Sequence, residues 1–418
     1  MTVPTSPAGG PVTRSSVVRV GVATVVSALC GYAVLYLAAR DLEPAGFSVF
    51  AVFWGAFGLL AGAANGLLQE STREVRQTAQ TPQRPLAGGP LIHPIRVAIL
   101  VGVFAAAAVA GTAPLWSGHV FVEERWLSVG LLGVGIAGFC MHATLLGVLA
   151  GVNGWSQYGA LIMGDAIGRV SVATVTFLVG WGLGGYLWAT VAGSCAWLVL
   201  LLASPTSRAA VRLPTPGTVL TFLRGASHSI AAAGASAILV MGFPVLLKAT
   251  SSDLGAAGGV VILAVTLTRA PLLVPLTAMQ GNLIAHFVDQ RSRRIRALAV
   301  PVTALAGLGA AAVLVAGLLG PWLLRTAFGP DYQAGGALLA WFTAAAVMIA
   351  LLTLTGAATV AAALHRAYAA GWIGATLAST LLLLLPLPLE TRTVVALLCG
   401  PLVGIAVHLV ALARVPQR

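Results

Sequence analysis

Hydrophobic residues run along this chain in blocks of roughly twenty, broken by short clusters of Arg, Pro, Gly and acidic residues. A helix rising 1.5 Å per residue crosses a ~30 Å hydrocarbon core in about that length. The blocks predict about twelve spans, near residues 16–39, 45–68, 94–117, 127–150, 157–180, 183–204, 218–247, 254–286, 297–325, 336–364, 367–386 and 393–413. A membrane barrel would alternate apolar and polar positions in weaker segments. The run Val17–Ala39 is too long for a signal-peptide core and lacks a convincing cleavage site, so it predicts the first helix.

Composition removes the soluble alternatives. The chain is 58% hydrophobic and 8% charged, whereas soluble domains carry about 25% charged residues. Disorder requires low hydrophobicity, and the mean hydropathy here is +0.96. Forty-nine Gly and 22 Pro fit helices embedded in lipid. With 418 residues given to spans and short loops, no sizeable soluble domain remains. The predicted class is an all-α polytopic membrane protein.

The net charge of +12 comes from 22 Arg and one Lys against 11 acids. In a soluble protein this excess would point to nucleic acid. Here the arginines fall in loops, so cytoplasmic retention and contact with anionic membrane lipid explain them, and no nucleic-acid partner is expected. With a cytoplasmic N-terminus, 16 basic residues face the cytoplasm, among them Arg19, Arg224, Arg291, Arg293, Arg294 and Arg296. Five face the other side (Arg40, Arg125, Lys248, Arg325 and Arg392), and two, Arg169 and Arg269, lie inside spans. This bias predicts that both termini are cytoplasmic in the cytoplasmic membrane of a bacterium. Cys30, Cys140, Cys195 and Cys399 sit in apolar runs without metal or redox spacing and read as small core residues.

The two halves repeat at an offset near 210. Asp41-Leu42-x-x-Ala45-Gly46 is matched by Asp253-Leu254-x-x-Ala257-Gly258, Arg14 by Arg224, and Tyr158 by Tyr368. Six-span halves have the same orientation, so the repeat is parallel. The expected division is an N-lobe at 1–204, a short cytoplasmic linker at 205–217 and a C-lobe at 218–418. Transporters of this kind hold substrate between the halves.

Four segments resemble the oligosaccharide-flippase (polysaccharide transporter) family of the multidrug/oligosaccharidyl-lipid/polysaccharide (MOP) exporter superfamily. Ala39-Arg40-Asp41-Leu42-Glu43-Pro44-Ala45-Gly46-Phe47 is similar to that family's ArxLxPxxfG stretch, and Phe328-Gly329-Pro330-Asp331-Tyr332 to its FGpeY segment. Gly154 to Arg169 resembles the turn into its fifth helix, and Thr268 through His286 its long eighth helix. The resemblance implies a two-lobed, V-shaped bundle of the MATE (multidrug and toxin extruder) type around a cavity open alternately to each side. It also implies polyprenyl-phosphate- or polyprenyl-pyrophosphate-linked saccharide as substrate, with cell-envelope glycosyltransferases as partners.

Ionisable residues inside spans are costly and therefore candidates for function. Arg269, just before Pro271 and Pro275, is suited to phosphate because its planar fork bonds two oxygens at once; the structural alternative is an arginine paired to a carbonyl. Asp165 and Arg169, spaced i,i+4, share a helix face and read either as a mutual ion pair or as a coupling site for H+ or Na+. Extruders carry their coupling acid in the first helix, where this chain has none. Arg224 and His228, with Arg14 or Arg19 opposite, read either as receivers of a head group at the cytoplasmic leaflet or as ordinary interfacial anchors. Asn65, Gln69, Gln280 and Asn282 are placed to bond sugar hydroxyls or to join helices.

No Walker motif, serine elbow or metal-spaced His pair occurs in the sequence, so neither an ATP site nor a metal cofactor is expected. The sequence reads as a flippase. An ion-coupled multidrug or small-solute exporter of the same fold is the alternative, and a membrane glycosyltransferase ranks last because no outer loop exceeds about ten residues on this topology.

Overall fold

The computed structural model describes residues 14–80, 90–279, 283, 286–287 and 294–414. They are almost entirely helical. The first half holds α1 (Arg14–Asp41), α2 (Glu43–Gln80), α3 (Pro94–Val120), α4 (Arg125–Gly151), α5 (Trp155–Val179), α6 (Gly182–Ala192), α7 (Ala196–Ala203) and α8 (Pro205–Val211). A 3₁₀ turn at Gly193–Cys195 joins α6 to α7 within one span. The second half holds α9 (Val219–Val240), α10 (Phe243–Ala249), α11 (Gly255–Ala278), α12 (Arg294–Phe328), α13 (Gly336–Ala361), α14 (His365–Leu383) and α15 (Leu389–Arg414).

Among the described residues ten helices are long and apolar enough to cross a membrane, and α9 with α10 makes an eleventh span bent by 68°. The remaining expected span, 367–386, is α14, whose first turn carries His365 and Arg366 and lowers its apolarity. Each of the twelve expected segments is met by helix among the described residues at shifted bounds, with 218–247 broken in two and most of 280–286 outside the described residues. The main departure is α2, which runs on to Gln80 rather than ending near residue 68.

The internal repeat is written in the backbone. Asn153 (φ 59°) and Ala363 (φ 60°) take left-handed conformations 210 residues apart, and Glu43 (φ 54°) and Gly255 (φ 47°) do so 212 apart. After Asn153 the Gly154 N–H donates to Leu149 O at 2.7 Å, and after Ala363 the Leu364 N–H donates to Thr359 O at 2.9 Å. These are matching helix C-terminal caps, and they set Tyr158 and Tyr368 each at the fourth position of the next helix.

By packing, the chain divides into two units. The first comprises the described residues up to Ala38 and from Phe57 to Gly234. The second comprises Ala39–Ala56 and the described residues from Ala235 onward. In lipid, helices associate by close packing and not by exclusion from water, so small residues mark the contacts. In the first unit α4 is the most enclosed span. Gly147 allows it to meet the backbone of Leu68 on α2, and Gly66 of α2 lies against the backbone of Ile230 on α9. A two-residue antiparallel ladder, Leu91–Ile92 with Thr215–Pro216, ties the two linkers of this unit together. In the second unit α13 packs on α11, α12 and α15, and α14 lies along α15.

Of the cysteines, Cys140 alone is buried. Cys195 and Cys399 are exposed, so the core reading does not hold for them.

Candidate functional site

In the second unit, Arg269 sits on α11 with only 7% of its surface exposed. Its Nη1 donates to the Val240 carbonyl at 3.3 Å, and its guanidinium lies 5.1 Å from the centre of the Phe243 ring. Val240 ends α9 and Phe243 opens α10, so Arg269 braces the 68° bend. A helix end leaves carbonyls without intrahelical donors, and a cation is favoured there by the helix dipole. Pro271 and Pro275 each remove a backbone hydrogen bond and so permit a kink beside Arg269. Yet α11 runs unbroken through Pro271 and Pro275, and the break falls at Met241-Gly242 in the preceding span.

In the first unit, the Arg169 Nη2 and Nε donate to one oxygen of Asp165 at 2.9 and 3.1 Å. The side chains are 16% and 15% exposed, and the guanidinium stacks 5.4 Å from the Phe57 ring. Gly193, in the 3₁₀ turn, faces this pair so closely that any side chain there would strike both Asp165 and Arg169. His142 on α4 lies within electrostatic reach of the pair, is 3% exposed and stacks on Phe139 with ring centroids 5.3 Å apart. Phe57, Phe139 and Gly193 thus pack closely around this polar cluster inside an apolar bundle. His142 was not legible as part of it, because nothing in the sequence ties α4 to α5 at this depth.

Arg224 and His228 lie on α9, both exposed, and His228 Nδ1 bonds the Arg224 carbonyl at 2.7 Å. Arg19 is exposed on α1; Asn65 is half-buried and Gln69 exposed on α2. Gln280 and Asn282 lie outside the described residues. Glu70, which is not among the candidates drawn from the sequence, is 3% exposed although α2 carries it beyond the expected span end. Arg73 bonds it at 2.5 Å, Gly225 of α9 packs directly on its carboxylate, and His228 acts on it electrostatically. Its i,i+3 spacing from Arg73 was the available signal.

Two of the motifs that carried the family resemblance meet in the second unit. Phe47 packs edge-on against Tyr332 at 6.3 Å, Phe328 lies 6.0 Å from the same ring, and Gly329 sits beside the Arg40 guanidinium. Phe47 and Tyr332 are 1% and 2% exposed. Burial, with Asp331 and Glu43 nearby, pushes the Tyr332 phenol above its ordinary range and keeps it neutral. No acceptor among the described residues reaches its hydroxyl. Phe47→Ala is therefore expected to cost about 3–5 kcal/mol, whereas Tyr332→Phe is expected to change stability by less than about 1 kcal/mol. Thermal unfolding of both variants in nanodiscs measures this contrast.

No family profile matches the chain. It is 69% identical over 409 residues to the uncharacterized protein Mb3654 of Mycobacterium bovis, covering 98% of this chain and 94% of that protein. It is 68% identical over 409 residues to the uncharacterized protein Rv3630 of Mycobacterium tuberculosis, with the same coverage. The uncharacterized protein Rv1510 of Mycobacterium tuberculosis is 66% identical over 408 residues, again covering 98% of this chain and 94% of the relative. The chain belongs to the family of these mycobacterial proteins. The fold of this member of the family is that of MATE transporters. An inward-facing multidrug resistance MATE family transporter of the MOP superfamily superposes with TM-score 0.75 at 14% identity, over 95% of this chain and 98% of that one. A MOP superfamily transporter from Pyrococcus furiosus, described as having a binding pocket of reversed polarity, gives 0.63 at 13% identity over 97% of each chain. The protein is a multi-pass membrane protein with a transporter fold.

Proposed function

We propose that this protein moves polyprenyl-phosphate- or polyprenyl-pyrophosphate-linked saccharide across the bacterial cytoplasmic membrane by alternating access, serving cell-envelope polysaccharide assembly. The observation that carries the reading is Arg269, a guanidinium held within a span at the bend of α9 and α10. A phosphate cannot cross hydrocarbon alone, so its path needs a wet, basic station, and a planar fork suits that anion. Phosphate on Arg269 would compete with the Val240 carbonyl, which links substrate binding to the bend. Arg19, Arg224 and His228 receive the head group from the cytoplasmic leaflet, and Asn65, Gln69, Gln280 and Asn282 bond the sugar. Both termini are cytoplasmic, envelope glycosyltransferases supply the saccharide, and a gradient or the membrane potential drives the cycle in place of ATP.

The packing of Phe47 on Tyr332 supports the flippase reading, because it joins two of the segments that resemble that family. A second reading, an ion-coupled exporter of small solutes, is favoured by the Asp165–Arg169 pair beside His142 in the first unit. Native mass spectrometry of the purified protein with a short-chain polyprenyl-phosphate hexose separates the two. Retention of that lipid against excess phosphatidylglycerol supports the flippase, and displacement by phosphatidylglycerol contradicts it.

A further inference from the structure

Lys248 is the only lysine in the chain, and it is 5% exposed. It sits in the last turn of α10, and its Nζ donates to the Ser252 carbonyl at 3.2 Å. Arg392 of α15 converges on the same turn. Its Nη1 donates to the carbonyls of Thr250 at 3.1 Å and Leu383 at 3.3 Å, and its Nη2 to the Ser251 hydroxyl at 2.6 Å. The Arg392 Nε is buried, with no acceptor among the described residues. Two acids lie close in sequence and do not compensate these cations. Asp253 is exposed and accepts the Gly255 N–H at 3.3 Å, and Glu390 is exposed in the first turn of α15. Among the described residues the ion pairs are Arg73 with Glu70 and Glu74, and Arg169 with Asp165.

Two cations gathered on one turn without a carboxylate make an unbalanced site. Helix C-terminal carbonyls offset part of the charge, yet a buried ammonium ordinarily needs a paired anion. We propose that Lys248 and Arg392 form an oxyanion site that binds a phosphate group at the α10–α11 turn. Lys248 supplies the charge and the Arg392 Nε supplies a directed donor, while the Ser251 hydroxyl, which donates to the Leu247 carbonyl at 2.6 Å and accepts from Arg392, holds that guanidinium in place. On the topology proposed above this end faces away from the cytoplasm. The site is separate from Arg269, and it stands whether or not the protein carries saccharide.

The test is thermal unfolding of the full chain in phosphatidylcholine nanodiscs at constant ionic strength, with and without inorganic phosphate. Phosphate is expected to raise the Tm of wild type and of Lys248→Arg, and to leave Lys248→Met unmoved. Without phosphate, Lys248→Met is expected to unfold about 2 °C higher than wild type, because an unbalanced buried charge is gone. No phosphate response in wild type, or an equal response in Lys248→Met, overturns the site. A lower Tm for Lys248→Met without phosphate, with the wild-type response matched by that variant, assigns the lysine to capping alone and also overturns it. Replacing phosphatidylcholine with phosphatidylglycerol distinguishes the sources. If wild type is already stabilised and phosphate adds nothing, the occupant is a lipid head group; if phosphate still acts, the occupant is a phosphate brought by a mobile ligand.

Discussion

Arg269→Ala is expected to cut translocation of a phosphate-linked lipid by about 100-fold while the protein still inserts and folds. The figure follows from losing a charge-assisted, two-pronged contact worth about 3 kcal/mol, with each 1.4 kcal/mol a factor of about ten. The structural part of the same side chain is smaller. One carbonyl bond at 3.3 Å and the Phe243 stacking should cost about 1–2 kcal/mol of stability when lost. Arg269→Lys keeps the charge, loses the fork, and is expected to fall between the two. Folded, abundant Arg269→Ala with normal translocation would reduce the arginine to a brace for the α9–α10 bend.

Asp165→Asn is expected to lower stability by about 3 kcal/mol, because it strands Arg169 in a largely apolar interior. The double variant Asp165→Asn/Arg169→Gln should recover much of that loss, since removing both members of a buried pair is far less costly than removing one. Thermal unfolding of the single and double variants, read as a cycle, isolates the coupling. The competing role predicts a different pattern. If Asp165 couples an ion, Asp165→Asn should keep its Tm and lose the dependence of transport on pH or Na+. Gly193 offers an independent check on the geometry, because its neighbours leave no space for a methyl group. Gly193→Ala should therefore disturb the pair without touching either charge.

The spans were legible because lipid imposes one dominant rule. A block of about twenty apolar residues must be a helix, and residues 127–150 were found as Arg125–Gly151 for that reason. The parallel repeat was also legible from Asp41/Asp253 and Tyr158/Tyr368, and the backbone turns at Asn153 and Ala363 give it a conformational basis. Breaks within spans were not legible. Gly193–Cys195 and Met241-Gly242 lie in runs whose apolarity is uninterrupted, and hydropathy does not record a change of hydrogen-bond pattern. The extension of α2 was missed because its polar end, Glu70 to Gln80, looks like a loop by composition, yet Glu70 is buried against Gly225.

Candidate residues followed the same division. The i,i+4 spacing of Asp165 and Arg169 is local information, and their contact could be read from it. Val240 and Phe243, which Arg269 touches, lie nearly thirty residues before it, and no local pattern points to them. Lys248 and Arg392 are more than a hundred residues apart and meet only through the fold of the second unit.

The most direct measurement is translocation by the reconstituted wild-type protein. A fluorescent polyprenyl-phosphate-linked sugar is placed in one leaflet of proteoliposomes, and its arrival in the other leaflet is followed by membrane-impermeant quenching. The proposed function predicts protein-dependent movement of this lipid and none of the same polyprenol lacking phosphate and sugar. Absence of movement with mono- and diphosphate carriers alike, together with pH-driven export of small cations by the same vesicles, would contradict it.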